Sequence, residues 1–497
     1  MKKLSMKKMC MLSTLLVTTF GATIAMANEG QAKHAERPNI LVILTDDMGY
    51  ADVGFNGSQD IKTPNLDQLA AEGTTFSSAY NVHPFCGPSR AGLLTGRYPH
   101  KFGSQFNLPR SSRSGGLGIP VEETYMSKVL QDSGYYTGAI GKWHLGEEAQ
   151  YHPNNRGFDE FYGFLNGGHD YFPDKFSKQY NSQRKQGLDH AIFGYLRPLE
   201  HNGKEVEETE YVTDGLSREA VNFIEAAAED KSTPFFLYLA YNAPHSPMQA
   251  KAEDMAQFPN IKDKKRKTYA GMVYAVDRGV KRIVDSLKAT GQFENTLIVF
   301  FSDNGGKPNL GADNGPLRGR KGDVLEGGYR TPMFFHWPNK VPVGRKFNHP
   351  ISTLDLFPTF SHLANAKVPK SKKLDGKDIL PSIQAGTNPR AGEMIYAVRH
   401  RLGFSEAAAR KDNWKIINRG ELDNNNQWQL FDVDKDPSET KDLAEKHPLL
   451  VREMVAEMEA WSWTNIQPKW FHIHQEGTQW REQSMPRFHE TFSLSTK

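Results

Sequence analysis

Four short apolar runs, each ending in a polar cluster, constrain the fold of this chain more than any other feature. Residues 40–44 are followed by Thr45-Asp46-Asp47, and residues 137–140 by Gly141-Lys142-Trp143-His144. Residues 235–240 lead into Tyr241-Asn242-Ala243-Pro244-His245, and residues 297–301 into Ser302-Asp303-Asn304-Gly305. Runs that are continuous rather than alternating suit strands buried on both faces. Between them the pattern predicts helices over 65–72, 123–133, 212–230 and 269–291. Strands alternating with helices give an α/β layered domain with a mixed, largely parallel central sheet flanked by helices. In such sheets ligands bind beyond the carboxyl ends of the strands, where all four polar clusters emerge.

From about Gly392 the chain changes character. Residues 393–399, 414–418 and 428–432 read as short strands and 448–461 as an amphipathic helix, a smaller α+β subdomain. Segments 110–118 and 423–426 read as surface loops. At the other end, Lys2, Lys3, Lys7 and Lys8 precede an apolar stretch that closes on Ala25-Met26-Ala27, the pattern of a secretory leader. The expected division is a leader at 1–27, a main domain at 28–390 and a C-terminal subdomain at 391–497. Removing the four leader lysines takes the formal charge from +3 to −1, which argues against charge-driven nucleic-acid binding. No later segment is long and apolar enough to cross a membrane, so the expected location is periplasmic or secreted.

Asp46, Asp47, Asp303 and Asn304 are oxygen donors at strand ends. Together they suit a hard divalent cation, calcium before magnesium, and no His/Cys cluster has zinc spacing. Cys10 lies in the leader, leaving Cys86 as a lone thiol. Pro88 suits a first helical turn, which places Cys86 at a helix N-terminus where backbone N–H groups favour negative charge. Arg90 follows one turn on. As a bare thiolate Cys86 is a candidate nucleophile; as a small buried hydrophobe it is structural.

The segment Cys86-Gly87-Pro88-Ser89-Arg90 resembles the type I sulfatase signature. The likeness extends through Thr63-Pro64-Asn65-Leu66-Asp67, Thr95-Gly96-Arg97, Gly141-Lys142-Trp143-His144, Ala243-Pro244-His245, Ser302-Asp303-Asn304-Gly305, Lys321-Gly322, Glu326-Gly327-Gly328 and Leu430-Phe431-Asp432. The resemblance implies an alkaline-phosphatase-like fold and hydrolysis of sulfate esters. It implies that a formylglycine-generating or anaerobic maturation enzyme oxidises Cys86 to formylglycine, whose hydrate attacks sulfur and joins Asp46, Asp47, Asp303 and Asn304 around calcium. Arg90 and Lys142 would stabilise the hydrate, and His144 would take its second proton and expel sulfate. Lys321 and His245 would bind the sulfate, with His245 the acid for the leaving oxygen. The expected substrate is a sulfated carbohydrate, an algal galactan such as carrageenan or a glycosaminoglycan. Rival readings are a phosphonate or phosphodiester hydrolase on the same fold and a non-catalytic sulfoglycan binder. His169 and Asp170, in a glycine-rich loop, and Arg401, in the basic cluster Arg399-His400-Arg401, are candidate substrate-binding residues. Trp143 and Asp67 read as structural, and Glu326-Gly327-Gly328 as a backbone turn.

Overall fold

The protein is described from a computed structural model covering residues 37–109, 116–188, 191–401, 405–422, 427–473 and 475–478. The leader expected at 1–27, with Cys10, lies outside the described residues, as do most of 110–118 and all of 423–426. A ten-stranded sheet forms the centre. From edge to edge its strands are β11 (Arg345–Phe347), β2 (Thr74–Phe76), β10 (Met333–His336), β9 (Thr296–Ser302), β1 (Asn39–Thr45), β8 (Phe235–Ala240), β4 (Tyr136–Lys142), β5 (Glu160–Phe164), β6 (Leu199–His201) and β7 (Lys204–Val206). The core from β9 to β5 is parallel, and antiparallel pairings begin at β10 on one side and β6 on the other. A short parallel pair joins β3 (Ala79–Tyr80) to β12 (Ile351–Ser352).

The apolar runs are continuous because each strand feeds two cores. Ile40, Val42 and Leu44 enter one, with helices Cys86–Thr95, Met126–Asp132 and Leu356–Leu363. Leu41 and Ile43 enter the other, with helices Pro64–Ala71, Val212–Ala227 and Lys264–Ala289. The last helix starts five residues before the position expected from sequence, 264 rather than 269. Asp263 caps it by accepting from the Arg266 N–H at 2.7 Å. Its first turn is polar, so apolar periodicity becomes visible only at Tyr269. Among the described residues no helix is long and apolar enough to cross a membrane.

The tail forms an antiparallel sheet of β13 (Met394–His400), β14 (Ser405–Lys411), β15 (Trp414–Asn418) and β16 (Gln429–Asp432). Strand β14 was absent from the sequence reading. Its Ala407-Ala408-Ala409 centre has little strand propensity, and pairing on both sides overrides that. One face of the sheet packs helix Pro448–Ser462, with Tyr98 and Leu354 of the main body. The other packs Tyr80, Val324, Leu325 and Tyr329.

Glu326 corrects the expectation of a plain turn. It opens a short helix, Glu326–Tyr329, and its carboxylate is fully buried. It accepts from Lys415 Nζ at 2.8 Å, Tyr80 Oη at 2.6 Å and Arg330 Nη1 at 2.9 Å. The same lysine donates to Glu439 at 2.7 Å. Burial opposes ionisation of Glu326, but Lys415 and Arg330 more than offset it and hold the group at about 2; Glu439, sharing the one ammonium, is pushed up by burial to about 7. Asp67 is structural as expected, accepting from Phe55 N and Thr63 Oγ1.

His83, His100 and His400 cluster, the first pair tilted and the second edge-to-face, with successive ring centroids 5.8 Å apart. Burial keeps His83 and His100 well below the ordinary histidine value and His400 at about 3. The unfolded chain, titrating near 6.5, binds protons that the fold excludes, so their contribution to stability is complete above about pH 6.5 and is lost as pH falls toward the folded values. The variant His100→Phe should show a shallower loss of unfolding free energy below about pH 6.5, by about 1.4 kcal/mol per pH unit, measured by urea denaturation. An unchanged slope would mean that His100 is not held neutral.

Candidate active site

Strand register assembles the site. Thr45 of β1 pairs with Ser302 of β9, and Leu44 with Ala240 of β8, which itself pairs with Gly141 of β4. Neighbouring parallel strands therefore end at one level and release Asp46, Asp47, Asp303, Asn304, Lys142 and His245 side by side. Backbone bonds continue past the ends, Asp303 N–H to Thr45 C=O at 3.0 Å and Asp46 N–H to Ala243 C=O at 3.2 Å. Asp47 and His144 adopt left-handed backbone, with φ of 66° and 65°. Such strain in non-glycine residues persists where surrounding contacts over-determine it and clusters at functional sites.

Helix Cys86–Thr95 begins at Cys86 itself, and the Gly87 N–H donates to Asn107 Oδ1 at 2.9 Å. Cys86 is buried, with Sγ 3.6 Å from Lys321 Nζ. Each carboxylate of the site is tied to its own cation. Arg90 Nε donates to Asp303 Oδ2 at 2.8 Å, Lys142 to Asp46 Oδ2, and Lys321 to Asp47 Oδ1. Arg90 Nη1 also donates to the Lys142 carbonyl at 2.9 Å, and Asn304 Nδ2 to Asp47 Oδ1 at 2.7 Å.

The donor set fits a hard divalent cation. Asp46 Oδ1, Asp47 Oδ2 and Asn304 Oδ1 are buried and accept no hydrogen bond among the described residues. Ligand atoms of Asp46, Cys86 and Asp303 lie within 4.8 Å of one another, as do those of Asp46, Asp47 and His245. Burial pushes Asp303 up to about 6, and neighbouring Asp46 adds to the rise; Asp46 is held at about 2, because Lys142 and His245 outweigh its burial. Crowded carboxylates that differ this much in proton affinity are a setting in which a dication relieves mutual repulsion. Asp46, Asp47, Asp303 and Asn304 would hold it.

Burial depresses both histidines, bringing His245 down to about 4 although Asp46 and Asp47 oppose it, and the two differ in their contacts. Burial and neighbouring Lys142 and Arg90 keep His144 well below its ordinary value, hence neutral, and its Nδ1 has no hydrogen bond among the described residues. Its ring lies so close to Gly167 that a Cβ there would come within 2.7 Å of Nε2. His245 is fixed through Nδ1, 2.6 Å from the Ser246 carbonyl, with Nε2 3.7 Å from Asp47.

Cys86, His144, His245 and Lys321 line a cavity of about 250 Å³. Asn107, Asn166, Phe193, Tyr195, Lys307 and His472 also line it. The substrate-binding expectations need correction. His169 is 1% exposed and both ring nitrogens are engaged, by the carbonyls of Asp170 at 2.6 Å and Arg197 at 2.7 Å. Asp170 bonds through its N–H to Tyr195 C=O and does not line the cavity. The next residue, Tyr171, puts its hydroxyl 2.7 Å from the carbonyls of both Asn242 and His245, so this loop braces the His245 turn. Arg401 is spent on Glu406, Asp323 and the Gly322 carbonyl, outside the cavity wall. Lys307 was legible in principle, following Gly305-Gly306 directly after the Asp303 cluster. Asn107 and His472 arrive from distant segments without a local signal.

Comparison with known proteins agrees with this geometry. A sequence model of the family described as Sulfatase matches residues 38–366, and one described as N-sulphoglucosamine sulphohydrolase, C-terminal, matches 321–462. The chain is 36% identical over 378 residues to N-acetylgalactosamine-6-sulfatase of Canis lupus familiaris, covering 73% of this chain and 69% of that one. It is 31% identical over 476 residues to arylsulfatase J of Mus musculus, covering 86% and 76%. Among solved structures it is similar to Ps i-CgsB, determined in complex with k-i-k-neocarrahexaose, with 58% identity and a TM-score of 0.89 over 92% of this chain and 100% of that one. A phosphonate monoester hydrolase from Silicibacter pomeroyi, at 19% identity and a TM-score of 0.61 over 86% of this chain and 96% of that one, shares the fold alone.

Calcium should raise the thermal midpoint, since ligand at about 100 times its dissociation constant adds about 2.7 kcal/mol to stability. In Asp46→Asn the calcium-dependent shift should shrink or vanish. An equal shift in both proteins would place the cation elsewhere.

Proposed function

The chain belongs to the type I sulfatase family, and on that premise we propose that it removes sulfate from a sulfated galactan of the carrageenan class, using calcium and a formylglycine derived from Cys86. It is a sulfuric ester hydrolase with an alkaline-phosphatase-like fold. The observation that carries the mechanism is the position of Cys86, at a buried helix start 3.6 Å from Lys321 on the cavity floor. Hydrated formylglycine at residue 86 would supply an oxygen nucleophile, and calcium held by Asp46, Asp47, Asp303 and Asn304 would supply a Lewis acid for sulfate oxygens.

The chain's own residues do the rest. Arg90 and Lys142, held by Asp303 and Asp46, concentrate positive charge beside residue 86. Lys321 and His245 bind the sulfate from the cavity side. With Nδ1 committed to the Ser246 carbonyl, Nε2 of His245 is the nitrogen left to exchange a proton with the leaving oxygen. His144, neutral through burial and the Lys142 charge, would be the base for a proton of a matured residue 86.

Substrate contacts fall to Phe193 and Tyr195, whose rings lie 4.4 Å apart on the cavity wall, with Phe193 43% exposed. Such a platform suits the apolar face of a sugar ring. The likeness to Ps i-CgsB, solved with k-i-k-neocarrahexaose, supports a carrageenan oligosaccharide over a glycosaminoglycan. We assign 1–27 to a leader that directs the protein to the periplasm or outside the cell, 28–390 to the catalytic domain and 391–497 to the C-terminal subdomain. A formylglycine-generating or anaerobic maturation enzyme is the implied partner.

The test is the mass of the Cys86 peptide after thiol alkylation, in protein from its own host. Formylglycine lowers that mass by about 18 Da and blocks alkylation, and sulfate release from carrageenan oligosaccharides should track the converted fraction. Turnover by protein with an intact, alkylated Cys86 would overturn the mechanism. Cys86→Ser should lose all turnover while keeping its circular dichroism spectrum. Tyr195→Ala should raise KM for the oligosaccharide about 2- to 10-fold, the worth of one ring contact, and leave small aryl sulfates unaffected. Equal effects on both substrates would remove Tyr195 from sugar binding.

A further inference from the structure

Lys321 does not sit on the central sheet. It belongs to a connecting loop at 316–330 whose own anchors reach two other parts of the site. The Lys321 N–H donates to the Gly306 carbonyl at 3.0 Å, just beyond Asn304. The Gly322 N–H donates to the Pro84 carbonyl at 2.9 Å, just before Cys86. The loop is thus wedged between the metal-binding turn and the start of the Cys86 helix. A Cβ on Gly305 would come within 1.8 Å of the Gly327 carbonyl, so there is no slack on that side.

The outer side of the loop is gripped by the C-terminal sheet and the segment that follows its last strand. Ser438 Oγ donates to the Pro316 carbonyl at 2.7 Å, and Arg318 Nη1 to the Glu439 carbonyl at 3.1 Å. Glu439 Oε2 accepts from the Glu326 N–H at 3.0 Å. Lys415 Nζ then bridges the Glu326 and Glu439 carboxylates with no exposure on any of the three side chains. Arg399 and Arg401 both donate to the Gly322 carbonyl, one residue from Lys321. Glu439 itself holds left-handed backbone, with φ of 51°. Buried ion clusters are weak sources of stability, because apolar replacements often serve as well. What such a cluster does supply is direction, and this one fixes both flanks of the loop that carries Lys321.

We propose that Lys415 and Glu439 are positioning residues for Lys321, so that the C-terminal sheet sets the geometry of the sulfate-binding cation. The proposal rests on the role given to Lys321 above. It makes the second sheet part of the catalytic apparatus, acting through a loop of the first.

The test is a double-mutant cycle on the matured enzyme with an aryl sulfate, rates being normalised to the folded fraction. Lys321→Ala should lower kcat about 10²- to 10³-fold, as loss of a preorganised charge does. Lys415→Met should lower kcat by up to about 100-fold, the effect of a displacement of about 1 Å, with a smaller change in KM. In the Lys321→Ala background the same Lys415→Met change should cost less than about 2-fold, since the group it acts through is gone. Glu439→Gln, which keeps the shape and the acceptor for the Glu326 N–H, should retain most activity, and Glu439→Ala should not. If Lys415→Met lowers kcat by the same factor in both backgrounds, it does not act through Lys321 and the proposal falls. If Lys321→Ala itself leaves kcat unchanged, the assigned role of Lys321 fails instead. Should Lys415→Met not fold, Lys415→Met with Glu439→Leu removes the ammonium together with a carboxylate it serves, and the same cycle applies.

Discussion

The site is organised by the need to keep three carboxylates buried together. Asp46, Asp47 and Asp303 leave adjacent strands at one level, and each is answered by a cation from a different element. Lys142 ends β4, Arg90 lies on the Cys86 helix, and Lys321 comes from the loop at 316–330. Pairing the charges therefore fixes the relative placement of five segments of the chain. Removing one partner from a buried pair leaves an uncompensated charge and costs about 3–5 kcal/mol, so none of these elements can drift independently. Asp46 Oδ1, Asp47 Oδ2 and Asn304 Oδ1 stay buried without hydrogen bonds among the described residues. One arrangement thus serves the fold and leaves oxygen donors to spare for a cation.

This is why so much of the centre could be read from the chain. Two-faced burial writes a continuous apolar run, and the carboxyl end of each run marks where a parallel sheet presents its chemistry. Asp46 and Asp303 stand out by that rule; Lys142 and His245 lie in the same strand-end clusters, but only the resemblance to sulfatases singled them out. The misreadings share a cause as well. His169 follows two glycines, and sequence alone cannot distinguish a loop that touches substrate from one that props another loop. Its imidazole turned inward to two backbone carbonyls, and Asn166 and Gly167, just before it, line the cavity. Strand β14 was hidden by alanines whose pairing depends on strands either side. Asn107 and His472 meet the cavity only through tertiary folding.

The boundary between the main domain and the tail divides the sequence better than it divides the chemistry. The two family matches overlap from 321 to 366, the stretch that begins with Lys321 itself. Tyr80, Val324 and Tyr329 share a core with Ile395, Ala408 and Phe431 of the second sheet. Leu354 and Tyr98 share another with Met454 and Trp461. Apolar packing of this kind holds the sheets together but resists sliding only weakly, because it is non-directional. The bridge from Lys415 to Glu326 and Glu439 adds a directional constraint where a small slip would move the Lys321 ammonium.

Charge also bears on which ester the site accepts. Lys142, Lys321 and Arg90 cancel the three carboxylates, so a bound dication leaves about two positive charges for substrate and nucleophile. A sulfate ester brings one negative charge, and the attacking oxygen develops another, which balances the account. A phosphate monoester carries about −1.5 to −2 near pH 7 and would leave negative charge uncompensated in a water-poor floor. A phosphodiester or phosphonate monoester is also a monoanion, so this charge balance separates sulfate esters from phosphate monoesters and not from those.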